Sequence, residues 1–150
     1  MINLHLSWPS KILLFMSMTA YLLITYWLFW PYTPIIIHEV KIVNKGAVYA
    51  GGVLQYEVDY SKKHDFLVVA VTRQLINGAV VLLKPGELGY LPLGNHRKAF
   101  IEIPIPEYAC AKKGHLRIVA SYQVNPLRVV HIKSISDEFE VQKKASGDHQ

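Results

Sequence analysis

Residues Ile12–Trp30 read ILLFMSMTAYLLITYWLFW, nineteen consecutive residues without a charged side chain. An α-helix of this length spans roughly 28 Å, close to the thickness of the hydrocarbon core of a bilayer. Its serine and threonine residues are tolerated because their hydroxyls bond back to helix carbonyls. The stretch therefore predicts a transmembrane helix over residues 12–30, with the lipid bilayer as its partner.

The flanks of this stretch favour an uncleaved membrane anchor. Pro31 and Pro34 end the helix and make residues 31–34 a short, stiff linker. A cleaved signal peptide has a shorter apolar region, about 7–15 residues, followed by small residues, whereas WLFWPYTP is bulky. A buried helix of a soluble protein is the other alternative, but the sequence predicts no further helix that would bury it. Aromatic residues typical of interfacial belts flank both ends: Trp8, Tyr26, Trp27, Phe29, Trp30 and Tyr32.

Basic residues on the two sides of the helix predict its orientation. Lys11 and the terminal amine precede it, and no lysine or arginine follows until Lys41. By the positive-inside rule, residues 1–11 form a short cytoplasmic N-terminus. We expect residues 35–142 to form a domain on the periplasmic or extracellular side, and residues 143–150 to form a flexible polar tail.

Beyond residue 35 the apolar residues follow the period-two pattern of half-buried β-strands. In Val53–Tyr60 (VLQYEVDY) and Leu116–Val124 (LRIVASYQV), apolar side chains mostly alternate with polar ones. Asn77-Gly78 separates two further apolar runs and predicts a type I′ hairpin. A phase change in the last run predicts a bulge near Lys133–Ser136. The remaining predicted strands are Ile36–Val43, Phe66–Ile76, Ala79–Leu83, Lys98–Ile103 and Val129–Val141.

Seven short strands separated by glycine, proline and asparagine predict an all-β domain, a seven-stranded antiparallel sandwich. The strand count and the ending YQVNPLRVV (Tyr122–Val130) with SDEFEV (Ser136–Val141) resemble the last hairpin of immunoglobulin-like or fibronectin-III-like domains. The whole layout resembles short single-pass membrane proteins of bacterial or tailed-phage type. Tyr108-Ala-Cys110 is similar to the Tyr-x-Cys of immunoglobulin strands, but Ala-Lys-Lys-Gly follows it and the chain has no second cysteine. The resemblance therefore implies neither a disulfide nor functional residues.

Composition and charge exclude several classes of protein. The chain has 16 Lys and Arg against 11 Asp and Glu, a net charge of +5, with 18% charged residues and a mean hydropathy of +0.20. These values exclude a disordered chain. Within residues 35–142, 13 basic and 10 acidic residues leave a charge of +3, too weak for a nucleic-acid partner. One cysteine excludes an intramolecular disulfide and a multi-cysteine zinc module.

The sequence carries no motif of nucleophilic, phosphate-binding or metalloprotease chemistry. Ser61–Asp65 contains serine, histidine and aspartate, but adjacent residues on a tight turn point apart, so we interpret it as a solvated turn. Glu57 and Asp59 are interpreted as part of a polar strand face rather than a cation site. We therefore predict no catalytic residue, no cofactor and no metal ligand.

Histidine and cysteine positions leave alternatives open. No two of the seven histidines lie within four residues of each other. A zinc site assembled from separate segments would best pair His38 with His131, because the first and last strands of a sandwich often adjoin. Cys110 lies in a loop beside Lys112 and Lys113, a setting that favours a reactive thiolate. The alternative is an inert, partly buried cysteine.

Basic residues near the linker predict contact with anionic lipid head groups. Because the linker is short, the domain should lie close to the bilayer. In a fibronectin-III-like strand order, the connections Ser61–Asp65, Lys84–His96 and Asn125–Arg128 share the end nearest the membrane. Each basic side chain near such a surface contributes about 1 kcal/mol; dispersed surface charge is the alternative. The predicted lipid contacts are Lys62, Lys63, Arg97 and Arg128.

These observations favour a binding or structural module of an envelope or phage-related assembly, with a protein partner in the envelope, and not an enzyme. The alternative is a membrane-tethered hydrolase or redox protein that uses the loop residues His96 and Cys110.

Overall fold

The computed structural model describes residues 7–29, 32–44, 46–84 and 91–143. Helix α1 (Trp8–Phe29) begins before the predicted start, and the predicted last residue, Trp30, lies outside the described residues. The hydroxyls of Thr19 and Thr25 donate to the carbonyls four residues earlier, at 2.9 and 2.8 Å. No residue of α1 is buried. By length and composition, α1 is apolar enough to cross a membrane.

The rest of the described chain consists of β-strands and their connections, which confirms a predominantly β protein with one N-terminal apolar helix. Of the predicted cytoplasmic segment 1–11, the structure describes residues 7–11. Of the predicted tail 143–150, it describes only Lys143. The strands are β1 (Ile36–Ile42), β2 (Val48–Tyr49), β3 (Val53–Lys62), β4 (Leu67–Ile76), β5 (Val80–Leu82), β6 (Gly94–Pro104), β7 (Lys113–Asn125), β8 (Arg128–Ile135) and β9 (Phe139–Gln142).

The strands form two sheets. One has the order β1-β3-β6, and its pairs are antiparallel. The other has the order β2-β9-β7-β4-β5, with β8 also paired to β7. Because β2 pairs with β9 in parallel, the prediction of seven purely antiparallel strands is wrong. The two-residue β2 is too short to leave a periodic pattern, and the last predicted strand is divided into β8 and β9.

Both sheets bury the apolar faces that alternation predicts, and together they enclose one core. Alternate residues from Leu54 to Tyr60 in β3 and from Leu116 to Val124 in β7 are buried. Most of these side chains belong to a single apolar cluster that draws on both sheets. Pro34 and Ile35 are also buried, so the chain enters the core within a few residues of α1.

The predicted bulge near Lys133–Ser136 is a break between β8 and β9. Both strands follow the same edge of β7, with β8 beside Arg117–Asn125 and β9 beside Lys113–Gly114. At the break, the Ser136 N–H donates to the Leu116 carbonyl, and the Leu116 N–H donates to the Ser136 hydroxyl, both at 2.9 Å. The hydroxyl of Ser136 thus takes the place of a backbone carbonyl as the acceptor for the Leu116 N–H. The chain changes which residues face the core at this point.

The Asn77-Gly78 hairpin is confirmed, but its turn is not type I′. That turn needs positive φ at both central residues; Gly78 has φ +92°, whereas Asn77 does not have a positive φ. Asn77 is buried, and its side-chain amide donates to the carbonyl of Cys110. The turn residue therefore fixes the hairpin to the β6–β7 connection.

Strand directions place the connections at two ends of the domain. Lys62 pairs with Gly94, and Leu67 with Gln123, so the β3–β4 connection, the start of β6 and the β7–β8 turn share one end. We call this the helix-facing end, because α1 joins the domain there. The β4–β5 hairpin and the β6–β7 connection, which carries Cys110, form the far end.

Candidate functional site

The turn between β7 and β8 contacts the C-terminal end of α1. Asn125 donates from its side-chain amide to the Trp27 carbonyl at 2.6 Å. Arg128 donates from Nη1 to the Leu28 carbonyl at 3.2 Å. The last carbonyls of a helix have no partner within it and carry the negative end of its dipole. An amide and a cation therefore stabilise this end of α1 and fasten it to the domain.

A ring contact and exposed leucines extend the helix-facing end. Tyr32 of the linker packs edge-on against Phe66 of the β3–β4 connection, with ring centroids 5.8 Å apart. Leu67, Leu93 and Leu127 are 67%, 44% and 56% exposed. This end therefore combines attachment to α1 with an apolar rim.

Three of the four predicted lipid-contacting residues present their side chains at the helix-facing end. Lys63 and Arg97 are exposed, and Arg128 is partly buried where it reaches α1. Together with the exposed leucines they give this end the mixture of basic and apolar groups found in interfacial proteins.

Lys62 is placed differently from the prediction. Its side chain is only 4% exposed, and Nζ lies 2.5 Å from Oδ1 of Asp65 and 3.1 Å from the Leu91 carbonyl. The predicted solvated turn is confirmed for residues 63–65, which are exposed, and is wrong for Ser61 and Lys62, which are buried because β3 continues through Lys62. The Lys62 ammonium is therefore enclosed by neighbouring loops and not presented to solvent.

Two histidines and one aspartate converge on the outer side of the three-stranded sheet, near its helix-facing end. His38 belongs to β1, Asp59 to β3 and His96 to β6. One potential ligand atom from each lies within 4.8 Å of the other two. The imidazole rings of His38 and His96 are stacked, with centroids 4.3 Å apart. We call these three residues the histidine–aspartate cluster.

Two irregularities in strand pairing bring the histidines together. Between Ile37 and Glu39, β1 has one residue more than β3, and that residue is His38. The pairing of β3 with β6 shifts opposite Ser61, where His96 has a left-handed φ of +47°. A β-bulge redirects the side chain at the extra residue. Here two bulges flank β3 at nearly the same level.

The hydroxyl of Ser61 contacts both histidines. Its Oγ lies 2.8 Å from Nε2 of His38 and accepts the backbone N–H of His96 at 3.1 Å. Ser61 is 8% exposed. The hydroxyl therefore orients the His38 ring and satisfies an N–H in the irregular stretch of β6.

One oxygen of Asp59 lacks a hydrogen-bond donor. Its Oδ1 is buried and accepts no hydrogen bond from the described part of the chain. The nearest cationic candidate, Nδ1 of His96, is 3.6 Å away, beyond hydrogen-bond distance. Buried carboxylate oxygens normally have a donor, a water or a cation.

Charged residues surround the histidine–aspartate cluster. Nζ of Lys98 lies 2.7 Å from Oε1 of Glu57. That hydrogen bond raises the pKa of Lys98 above its ordinary value, and the charges of Asp59 and Glu39 add to the effect. Glu57 is thus neutralised by a lysine, while Asp59 faces the histidines.

His131, the open alternative as a zinc partner of His38, is not part of the histidine–aspartate cluster. His131 lies on β8, in the other sheet, and its Nδ1 is 2.8 Å from the hydroxyl of Ser121. His38 stacks on His96 instead. Spacing along the chain does not reveal the histidine–aspartate cluster, because its members are 21 and 37 residues apart and only strand register joins them.

The serine, histidine and aspartate of residues 61–65 do not assemble into a triad. Ser61 contacts His38 and His96, whereas the ring of His64 lies against Phe66. The carboxylate of Asp65 binds Lys62.

Cys110 and His96 lie at opposite ends of β6. His96 is near the start of this strand, and Cys110 is exposed in the connection that follows it. The intervening part of β6 spans roughly 25 Å at about 3.3 Å per residue. The two residues of the enzymatic alternative are therefore not brought together.

A cleft of about 360 Å³ with a mixed polar and apolar lining opens at the far end. It lies between the β1–β2 connection, with Asn44 and Val48, and the segment around Glu138 and Phe139. The residues that line this cleft include neither Cys110 nor any residue of the helix-facing end.

No protein-family model matches this chain, and no curated protein matches it.

Proposed function

We propose that the protein is a single-pass membrane protein that holds an immunoglobulin-like β domain against the outer face of the membrane. It acts as a binding or structural module of an envelope or phage-related assembly rather than as an enzyme. The observation that carries this proposal is the junction at which Asn125 and Arg128 bind the last carbonyls of an unburied 22-residue apolar helix.

Strand order supports the immunoglobulin-like part of the proposal. In such sandwiches, strands A, B and E share one sheet and strands C, F and G the other, with C′ beside C in some members. The order β1-β3-β6 corresponds to A-B-E, and the order β8-β7-β4-β5 corresponds to G-F-C-C′. Folds of this kind carry many unrelated functions, so the surfaces of the domain, and not the fold, indicate its function.

The helix-facing end supports contact with lipid head groups. Lys63, Arg97 and Arg128 surround an apolar rim there, and each cation near an anionic surface contributes about 1 kcal/mol. Lys62 is not included because its ammonium is enclosed. With α1 in a bilayer, the cleft at the far end would face away from the membrane, and it is the surface we assign to a protein partner.

The orientation is tested with the single cysteine. Cys110 is exposed at the far end, so a membrane-impermeant maleimide should label it in intact spheroplasts. Cys110→Ser is the control for background. Labelling that appears only after lysis would place the domain in the cytoplasm and overturn the orientation.

Lipid contact is tested with full-length chain in nanodiscs of zwitterionic or anionic lipid. Anionic lipid should raise the thermal unfolding midpoint of the wild type, and the double variant Lys63→Glu, Arg97→Glu should lose that rise. The matched control, Lys112→Glu with Lys113→Glu, reverses two exposed charges at the far end and should keep it. An equal response of all three proteins contradicts the contact.

A further inference from the structure

We propose that His38, Asp59 and His96 form a binding site for a divalent transition-metal ion, with Zn²⁺ as its ligand. Imidazole nitrogens and carboxylate oxygens are zinc ligands, and three of them leave a fourth position for water. The site joins all three strands of the smaller sheet.

Three side chains of the types that bind zinc converge at this site. Each residue comes from a different strand, yet their potential ligand atoms lie within 4.8 Å of one another. In a tetrahedral zinc site with bonds of about 2.0–2.1 Å, ligand atoms are about 3.3 Å apart. To bind a zinc ion, each pair of ligand atoms would therefore have to move closer together by at most about 1.5 Å.

The carboxylate of Asp59 has an oxygen that a metal ion could bind. Oδ1 of Asp59 is buried and takes no hydrogen bond from the described residues, although burying a charged oxygen without a partner is costly. A metal ion at the centre of the three residues supplies that partner.

The backbone beside the cluster has an unusual geometry. The chain adopts two bulges beside one strand, and one of them places the non-glycine residue His96 at φ +47°. Conformations of this kind are sparsely populated and concentrate at functional sites. Both bulges act on the two histidines.

Ser61 has the position of an outer-shell residue. Metal-bound histidines commonly hydrogen-bond through their other ring nitrogen, which fixes the ring orientation and tautomer. With Nδ1 of His38 as the metal ligand, the hydroxyl of Ser61 would make that contact with Nε2 of the same ring, 2.8 Å away. It also accepts the backbone N–H of His96, so one hydroxyl supports both histidines.

Metal binding requires one change in the cluster. Parallel stacked rings do not direct their nitrogen lone pairs at a common point, so one ring must turn about its Cβ–Cγ bond. The side chain of His96 is 70% exposed, which leaves it room to turn. We expect zinc to replace ring stacking with coordination.

The test uses full-length chain in detergent, stripped with a chelator and carrying an affinity tag without histidine. Titration calorimetry with zinc chloride should give one ion per chain. His96→Asn and Asp59→Asn should each weaken binding at least tenfold, and Ser61→Ala should weaken it by about tenfold at unchanged stoichiometry. Asparagine tolerates the left-handed conformation, so His96→Asn keeps the bulge.

His131→Gln and His64→Gln are matched controls that remove a histidine outside the cluster, and both should bind zinc as the wild type does. Cobalt substitution gives a second readout: the wild type should show the visible absorption bands of a low-symmetry Co²⁺ site, and His96→Asn should not. Circular dichroism of the metal-free proteins shows that each variant folds. Absence of zinc binding to the wild type at millimolar metal, or equal affinity in wild type and His96→Asn, overturns the proposal.

Discussion

The side-chain amide of Asn125 donates a hydrogen bond of 2.6 Å to the backbone carbonyl of Trp27, 98 residues earlier in the chain. The same side chain accepts the N–H of Leu127 at 2.9 Å through its other atom, Oδ1. One asparagine therefore shapes the β7–β8 turn and attaches it to α1.

The substitution Asn125→Asp separates these two roles. The carboxylate that it introduces can still accept the Leu127 N–H, but it cannot donate to Trp27 and places a negative charge at the negative end of the helix dipole. We expect a loss of about 0.3–1 kcal/mol at the junction. Nitroxide labels at Ser10 and Lys133, in a Cys110→Ser background, should show a broader distance distribution.

Asn44→Asp is the matched control for this experiment. Asn44 also uses both side-chain atoms, donating to the Val53 carbonyl and accepting the Gln55 N–H, but it lies at the far end. Its substitution should leave the distance distribution narrow. Equal widths in wild type and Asn125→Asp would falsify the attachment.

Gly114→Ala should destabilise the domain. A Cβ at this position would lie 2.6 Å from Cβ of Asn77 and would also collide with the carbonyl of Ile76. These atoms belong to a hairpin that the Asn77 side chain holds against the β6–β7 connection, so they cannot move away easily. We therefore expect the free energy of unfolding to fall by about 1–3 kcal/mol. Denaturant unfolding of the full chain measures it. Gly46→Ala, with no atom within 4 Å of the new Cβ, should change stability little.

Ser136→Ala should lower the stability of the domain at the break between β8 and β9. The substitution leaves the buried Leu116 N–H without the serine hydroxyl that it now donates to. An unsatisfied buried donor costs about 1–3 kcal/mol. Ser121→Ala removes a serine hydroxyl from a more exposed contact with His131, so its unfolding midpoint should change less. The reverse ranking would contradict this account.

Alkaline pH should destabilise the domain through its buried tyrosines. Burial raises the pKa of Tyr122 above its ordinary value, and the nearby Tyr60 adds to the effect. A phenol whose folded pKa lies above its unfolded pKa contributes full stability below about pH 10. That stability is lost as pH rises through the folded pKa, since the unfolded state releases its proton first.

Tyr122→Phe removes this titration. The unfolding midpoint of the wild type should fall above about pH 10, and the fall should be shallower in Tyr122→Phe. Scans of the full chain between neutral and strongly alkaline pH compare the slopes, with ultraviolet absorbance to follow phenolate formation. Identical slopes would mean that Tyr122 ionises alike in folded and unfolded chains.

Local periodicity predicts much of the fold because burial of one face leaves a mark on consecutive residues. Leu54 to Tyr60 and Leu116 to Val124 alternate in the sequence as they do in the core. The apolar helix and the Asn77-Gly78 hairpin are also local signals. β2 is missed because two residues carry no period, and its parallel pairing with β9 depends on distant chain segments.

The candidate site is harder to predict because it depends on register. The sequence predicts a solvent-exposed Lys62 next to Lys63. The side chain of Lys62 is buried instead, because β3 continues through this residue. His38 and His96 are separated in the chain by 58 residues, and each reaches the cluster only because a bulge adds one residue beside β3. A shift of one residue in either pairing would turn the histidine to the opposite face.

The burial of Pro34 and Ile35 directly after α1 limits how far the domain can move relative to the helix. A domain on a long flexible linker can move over a wide range of positions around its anchor. Here the chain enters the core of the domain within a few residues of the helix, and Asn125 binds the helix end. Strand β7 then runs 13 residues from the far end to the helix-facing end, at most about 43 Å at about 3.3 Å per residue. With α1 in a bilayer, these contacts would hold the far-end cleft at a nearly constant height, so a partner bound there would lie at a fixed distance from the membrane.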